Sequence, residues 1–544
     1  MKLKQFIFLL TIFSVSFVSC KKKPDPTPEP PANDRANLSR DSIFLYAKQI
    51  YLWSDGLPTY DVFSPRKYTT ATTDFLNYER ELITLAKISK NPATSFPYEY
   101  YTTKNALGIE VEVDDSKYSY ISDLANKNPT AYIPEKKSAV DLEGNGNDLG
   151  VKLGAYGQGG PGSTAFALFI TAVYQNSPAD KAGMVRSDRI NKINGRTIGD
   201  NYTADRDFIN TSFAGTNITL EGVKYTNGVS GAPYTITLDK ATYKSKPIFA
   251  TKVFTADNKK IGYLAYARFS TLANSKPDFD EAFATFSAAG VTDLVIDLRY
   301  NGGGYLTTAK YLINQIAPAS TSGKVMFTEH YNTLMQSGGA TILTNQPLLD
   351  ANKKVQFQNG KMITYADINY KISANTELFA KAGPLNTANT ITNIVFIVSK
   401  STASASELVI NALKPFMNVK IVGTKTFGKP VGFFPITIEN KYEVYYSLFQ
   451  TKNSLGQGDY FDGFTPDIVD DFDDPRNNFG DSKEYYTAKA INVIAPGAVV
   501  TASATKTMSI KGRNVSIESL QPMKPLVDGN EFVGMIETKH KLKQ

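Results

Sequence analysis

One stretch constrains this chain more than any other, residues 394–432. Ile-Val-Phe-Ile-Val at 394–398 is a short, β-branched-rich apolar run of strand length. Small residues follow it, and Ser404 stands where a helix should begin. Leu408, Ala412, Leu413 and Phe416 then recur at spacings near 3.6, the apolar face of that helix. A second apolar run, Val-Lys-Ile-Val-Gly, reads as the next strand. A serine at a helix N-terminus lies where free backbone N–H groups can hold an oxyanion. Lys429 follows 25 residues after Ser404, in a Gly-Lys-Pro turn. A serine nucleophile needs a base, and lysine is one known choice.

Composition narrows the alternatives. At 544 residues the length corresponds to about three or four domains. A 42% hydrophobic and 20% charged make-up is that of ordinary globular protein, so extensive disorder is not expected. The net charge of +7 is spread along the chain with no dense basic patch and interleaved aromatics, which argues against a nucleic-acid partner. Only two histidines occur, His330 and His540, which argues against a Ser-His-Asp triad and a His-rich metal site. Cys20 is the single cysteine and excludes internal disulfides and thiolate metal clusters. Neither a metal nor an organic cofactor is expected.

The N-terminus has its own pattern. Lys2 and Lys4 precede an apolar run at 6–18, followed by Phe17-Val18-Ser19-Cys20. This is a signal-peptide pattern, too short and wrongly flanked for a transmembrane helix. Residues 1–19 resemble a bacterial lipoprotein signal, with Cys20 as the lipid-attached first residue of the mature chain. Phe17 departs from that box, where an aliphatic residue is more usual; a plain secretory signal is the alternative. Residues 20–37 are rich in proline and charge and read as a linker. Residues 38–105 read as a helical module, with Ile43, Tyr46, Ile50 and Trp53 at helical spacing and a second helix at 75–88. Trp53 is expected in its core. The expected location is the cell envelope, lipid-anchored, facing the periplasm or the cell surface.

From residue 106 to 243 strands dominate. Ser-Pro-Ala-Asp-Lys-Ala-Gly-Met at 177–184 and Asp-Arg-Ile-Asn-Lys-Ile-Asn-Gly-Arg at 188–196 resemble a PDZ domain of the bacterial protease type. Ser187 departs from that pattern, which has glycine there. PDZ domains take a peptide C-terminus as an added strand, its carboxylate held by a loop of N–H groups. Residues 145–150 are the candidate loop. The Gly-rich loop at 157–163 lacks the Lys-Ser/Thr of a phosphate-binding loop and reads as a hairpin connection.

Residues 244–480 carry the chemistry. Val-Thr-Asp-Leu-Val-Ile-Asp-Leu-Arg-Tyr-Asn-Gly-Gly-Gly at 291–304 is a buried strand opening into a glycine loop. Helix-period runs lie at 277–290 and 305–318, and the strand–helix alternation implies a largely parallel sheet covered on both sides. Asp-Leu-Arg-Tyr-Asn-Gly-Gly-Gly, Thr-Ala-Ser-Ala-Ser-Glu and Thr-Phe-Gly-Lys-Pro-Val-Gly, in this order, resemble the carboxyl-terminal processing peptidases, or tail-specific proteases. The resemblance spans about residues 100–470 with the PDZ-like part included. It implies an α/β fold, the superhelical core shared with Clp-type proteases and crotonases, beside the PDZ domain and the N-terminal helical module. It also implies Ser404 as nucleophile, Lys429 as base, and substrates that are envelope proteins or peptides with free C-termini.

The residues themselves support the same chemistry. A solvated lysine, with a pKa near 10.4, is charged and useless as a base. Burial disfavours that charge, and Phe427, Val431, Phe433 and Phe434 provide apolar surroundings. The Ala405 N–H and an N–H of the turn at Gly302-Gly303-Gly304 are candidate oxyanion donors, the relevant glycines being Gly303 and Gly304. Many relatives carry an orienting glutamine four residues after the lysine, where this chain has Phe433. Glu407, Ser406 or a backbone carbonyl must then orient Lys429. Arg299 is expected to pair with a carboxylate that shapes the cleft. Residues 481–544 form a C-terminal extension with one helix at 484–494 and no assigned role. A non-catalytic peptide-binding lipoprotein that keeps this fold is the alternative reading, and a crotonase-like acyl-transfer enzyme a more distant one.

Overall fold

Side chains alternate across a strand, and the central strands of this chain carry unbroken apolar runs. Residues 294–296 and 394–398 are buried throughout, so both faces of their sheet must be covered. The computed structural model describes residues 32–104, 110–124, 140–157, 163–226, 228–350, 354–388, 390–502, 507–510, 513–516 and 534–543. The signal-like segment, Cys20 and the tip of the Gly-rich loop lie outside the described residues.

Six strands lie side by side in the order Ile248–Ala256, Lys259–Tyr266, Asp293–Asp297, Asn393–Val398, Asn418–Gly423 and Ile468–Val469. The first pair is antiparallel and the other four are parallel. Leu264, Leu294, Ile296, Phe396 and Val398 pack to one side, with Phe279, Phe283, Leu312 and Leu408 of the helices Leu272–Ala289, Leu306–Ile316 and Ala405–Leu413. Ile261, Tyr263, Val295, Val395 and Ile397 pack to the other, against Tyr486, Ala490, Ile491 and Ile494 of helix Tyr485–Ile494. Each of these larger apolar side chains contributes roughly 1.5–3 kcal/mol on burial. The helix left without a role within 481–544 is thus integral, since it covers the central strands on one face of the sheet.

Asp293–Asp297 and Asn393–Val398 are parallel neighbours. Parallel neighbours deliver the loops that follow them to the same edge, where α/β proteins place their ligands. The glycine turn at 302–304 and the turn leading to Ser404 therefore meet there.

Three expectations are corrected. The linker expected over 20–37 ends sooner, because helix Ala32–Ile50 already includes residues 32–37. Asp34 in its first turn complements the helix dipole, and no proline follows residue 31 until the helix has ended. Tyr120–Asp123, placed by sequence in the PDZ-like part, instead pairs antiparallel with Tyr442–Tyr445 of the catalytic region. Asn145–Asp148, expected as an open N–H loop, is a strand paired with Ala241–Lys244, and the Gly150 N–H donates to Asp148 Oδ1 at 2.7 Å.

The PDZ sheet runs Val229–Asp239, Asn217–Thr226, Arg189–Ile193, Phe166–Val173, Val151–Gly157. Its sequence signature has visible local causes. Ser177 caps helix Pro178–Lys181 by accepting the Asp180 N–H at 3.1 Å. Asn194 and Gly195 both take positive φ in the turn between Arg189–Ile193 and Arg196–Thr197. Ser187 sits at φ 96°, a glycine conformation, and its Oγ donates to the Tyr225 carbonyl at 3.0 Å. Trp53 is partly buried and stacks on Tyr98 at 4.2 Å.

Candidate active site

Ser404 stands at the sharpest bend in the site. It adopts φ 59° and ψ −112°, a conformation that costs a non-glycine residue on the order of 1–3 kcal/mol. Such a strand-to-helix bend pushes a nucleophile out of the strand and onto the helix start. The side chain is fully buried. Its Oγ leans towards the Glu407 N–H in the manner of a capping box but makes no full hydrogen bond.

Glu407 ties the two halves of the site together. Its Oε2 accepts the backbone N–H of Ser404 at 2.9 Å and that of Lys429 at 2.8 Å. Its Oε1 accepts the Gly428 N–H at 2.7 Å and the Thr426 hydroxyl at 2.5 Å. Burial pushes this carboxyl up, and these four donors pull it back. A single carboxylate oxygen therefore fixes the serine and lysine backbones side by side, although 25 residues separate them.

Lys429 is 1% exposed. Burial pushes its ammonium down to about 7, against the pull of Glu99 and Glu407. The Nζ donates to the Tyr118 carbonyl at 3.3 Å and lies 4.6 Å from the centre of the Phe433 ring. The orienting group is thus a backbone carbonyl. Glu407 bonds the lysine backbone instead, and the Ser406 Oγ donates to the Asn301 carbonyl at 3.0 Å. Glu99 holds the Tyr118 segment by accepting the Tyr118 and Ser119 N–H groups at 2.9 and 2.7 Å. Sequence reasoning missed both residues, because a carbonyl has no side-chain signature and its segment lies more than 300 positions away.

The glycine turn faces Ser404 with a division of labour. Gly303 has φ 107°, and a Cβ there would lie 3.0 Å from the Ala405 nitrogen. Any side chain at 303 would crowd the Ala405 N–H. The Gly303 N–H itself donates to Asn301 Oδ1 at 2.9 Å. Gly303 is therefore corrected as an oxyanion donor; its part is to leave space, and Gly304 remains the turn's candidate. Gly304, at φ 137°, leaves no room for a Cβ against the Phe269 carbonyl.

Arg299 meets its expected carboxylate, and more than one. It bonds Asp297 at 2.7 and 3.0 Å, Glu484 at 2.8 and 2.9 Å and Asp473 at 2.8 Å. Asp473 also accepts from Arg186 of the PDZ domain at 2.6 Å. Among the described residues no cluster of three His, Cys, Asp or Glu side chains is arranged to hold a metal.

Fold and site together define a PDZ-bearing α/β protein with a serine and a lysine buried at the end of a parallel sheet. Residues 260–470 match peptidase family S41, and residues 169–221 match the PDZ domain. Residues 260–470 thus carry a family S41 peptidase domain and residues 169–221 a PDZ domain, and curated relatives over this part are carboxyl-terminal processing proteases. It is 25% identical over 274 residues to the carboxy-terminal processing protease CtpB of Bacillus subtilis (strain 168), covering 48% of this chain and 44% of that one. It is 24% identical over 262 residues to the carboxyl-terminal-processing protease of Synechocystis sp. (strain PCC 6803), covering 48% of this chain and 49% of that one. The matches thus span less than half of these curated relatives. A solved structure assigned to the S41 proteases, from Bacteroides fragilis NCTC 9343, superposes with a TM-score of 0.53 at 22% identity, over 83% of this chain and 96% of that one; it supports the fold.

Proposed function

We propose that this protein is a serine endopeptidase that cleaves through Ser404 and Lys429. The observation that carries the reading is the Glu407 carboxylate, which holds a strained, fully buried serine beside a lysine that has lost its ordinary reason to stay charged. In this reading neutral Lys429 takes the proton of Ser404 Oγ as the oxygen attacks an amide carbonyl. The Ala405 and Gly304 N–H groups receive the oxyanion. Lys429 then returns the proton to the departing amine, leaving an acyl-enzyme that water hydrolyses with the same lysine as base.

The PDZ domain would take the substrate's free C-terminus as an added strand. Its link to the core through Arg186, Asp473 and Arg299 supports a body that delivers peptide to a fixed site. The natural substrates would be envelope proteins or peptides, met by a protein anchored through a lipid on Cys20. A mass spectrum of the mature N-terminus tests the anchor.

The enzymatic test is labelling with a fluorophosphonate and hydrolysis of an unfolded protein with an apolar C-terminus. Both are expected in the wild type and lost in Ser404→Ala. A protein with Ser404 intact that neither labels nor cleaves between pH 6 and 9 in any form overturns the reading in favour of a non-catalytic peptide-binding lipoprotein.

A further inference from the structure

A peptidase needs its nucleophile open to substrate, yet Ser404 and Ala405 have no exposed surface and Lys429 almost none. Something covers the site. On one side it is the Tyr118 segment, pinned by Glu99. On the other it is a segment 130 residues beyond the serine in sequence, Gly534–Ile536 and the residues after it.

That segment runs as an extended strand between the two walls of the site. Gly534–Ile536 pairs in parallel with Gly303–Tyr305, in the register Gly303 to Gly534 and Gly304 to Met535. The Gly534 N–H donates to the Gly302 carbonyl at 3.1 Å. Its other edge meets Phe433, whose N–H donates to the Met535 carbonyl at 3.0 Å and whose carbonyl accepts the Glu537 N–H at 3.2 Å. The Gly534 carbonyl lies 2.5 Å from where a Cβ on Gly303 would stand, the point that is also 3.0 Å from the Ala405 nitrogen. A backbone carbonyl of the chain itself thus borders the space that Gly303 leaves in front of the Ala405 nitrogen. Met535 is fully buried in the main core.

Beyond Glu537 the contact becomes thinner but continues. Thr538, Lys539, Lys541 and Lys543 are exposed, while the His540 ring packs edge-on against Tyr365 and Phe434, and an antiparallel bridge joins Ile368 and Leu542, with the Asn369 N–H on the Lys541 carbonyl and the Lys543 N–H on the Asp367 carbonyl, both at 2.8 Å. Glu537 lies against Glu329, and burial pushes both carboxyls up. Tyr331 donates to Glu329 at 3.1 Å, and Lys310 and Glu377 face the pair. Glu537 also accepts the Lys539 N–H, and two carboxyls buried against each other repel when both are ionised, which weakens this contact.

We propose that residues 534–543 occupy the substrate-strand site of this protein, and that a peptide substrate binds by displacing them and pairing with Gly303–Tyr305 and Phe433 in their place. The proposal rests on the peptidase reading for its consequence, but the displacement itself does not need catalysis. It names the substrate's shape as an extended strand with a small residue at the position of Gly534 and an unbranched apolar residue at that of Met535.

The test uses the full chain with a site-specific protease recognition sequence inserted between residues 517 and 533. Cutting it frees the segment from its covalent tether. Fluorophosphonate labelling of Ser404 and hydrolysis of a fluorogenic peptide are expected to rise at least tenfold after cutting and dilution. A synthetic peptide of residues 534–543 is expected to reverse the gain by raising KM without changing kcat. In a second variant, Ile368→Cys with Leu542→Cys, oxidation is expected to lower hydrolysis at least fivefold and reductant to restore it, with no segment removed. In a Ser404→Ala background the cut chain is expected to bind the labelled 534–543 peptide, followed by fluorescence anisotropy, and a substrate peptide is expected to compete. Hydrolysis that is robust and indifferent to both cutting and oxidation overturns the proposal and leaves the peptidase reading standing. Competitive peptide binding without labelling or hydrolysis in any form upholds the proposal and overturns the peptidase reading. No peptide binding in the cut Ser404→Ala chain overturns the proposal.

Discussion

Two clusters of buried charge lie at neighbouring strand ends in this molecule, and they solve the same electrostatic problem in opposite ways. Around Arg299 every charge has a counter-charge: Asp297, Glu484 and Asp473 receive the guanidinium, and Arg186 adds a second positive group. Against a burial that would raise it, Asp473 is held down to about 2 by Arg186 and Arg299. Around Lys429 the amine meets the Tyr118 carbonyl and two aromatic rings, while the Glu407 oxygens accept backbone N–H groups and the Thr426 hydroxyl. Burial therefore wins, and the ammonium falls to about 7. Paired charges remain charges and hold the PDZ domain, the sheet and helix Tyr485–Ile494 together. An ammonium lowered to about 7 can instead exchange its proton near neutral pH.

The largest expected effect separates the two clusters by function. Ser404→Ala and Lys429→Met are each expected to lower kcat by about 10³–10⁴-fold, roughly 4–5.5 kcal/mol of transition-state stabilisation. Arg299→Lys should leave the pH dependence of the remaining activity unchanged. Steady-state peptide hydrolysis checks both, and an Arg299→Lys enzyme with a displaced pH profile would show that the clusters are coupled.

Next comes stability. Arg299→Met leaves three carboxylates facing one another without their main counter-charge, and removing one partner of a buried ion cluster costs about 3–5 kcal/mol. Urea unfolding measures the loss. Lys429→Met should act in the other direction. The folded amine titrates at about 7 while the unfolded one keeps its ordinary, higher value, so the folded state binds fewer protons between them. Stability of the wild type then rises with pH across that window. Lys429→Met is expected to be the more stable protein by roughly 5 kcal/mol below pH 7, with the gap closing towards pH 10. An unchanged or lowered midpoint would mean that the folded ammonium keeps its ordinary pKa.

The smallest effect is the pH profile of the wild type. If neutral Lys429 is the base, kcat/KM should climb tenfold per pH unit below about 7 and flatten above it. A limb displaced to pH 9 or higher would return Lys429 to the class of ordinary lysines.

Local patterns proved legible in different degrees. The helix Ala405–Leu413 and the strand before it were readable because both periodicities are clean. The stop of helix Leu272–Ala289 at Gly290, which adopts φ 69°, was readable because only glycine takes that conformation freely. Its start was not, since Pro277 reads as a first turn yet stands inside the helix. The PDZ signature was legible in its turns, but its expected carboxylate loop was not, because whether N–H groups stay open depends on a partner strand nearly a hundred residues away.

Within the site, the sequence by itself determined the reactive types and their order. A serine follows a strand and precedes a helix, a glycine turn follows the neighbouring strand, and a lysine lies in an apolar surround; none of these needs a distant partner to be recognised. Only the tertiary structure decided how they are used. It gave Glu407 to the backbones of Ser404 and Lys429, gave the lysine amine to the Tyr118 carbonyl, turned the Gly303 N–H towards Asn301, and laid Gly534–Ile536 along the glycine turn. Each of these is a backbone bond between segments far apart in the chain. Every residue carries the same N–H and C=O, so nothing in the order of side chains marks which of them will meet.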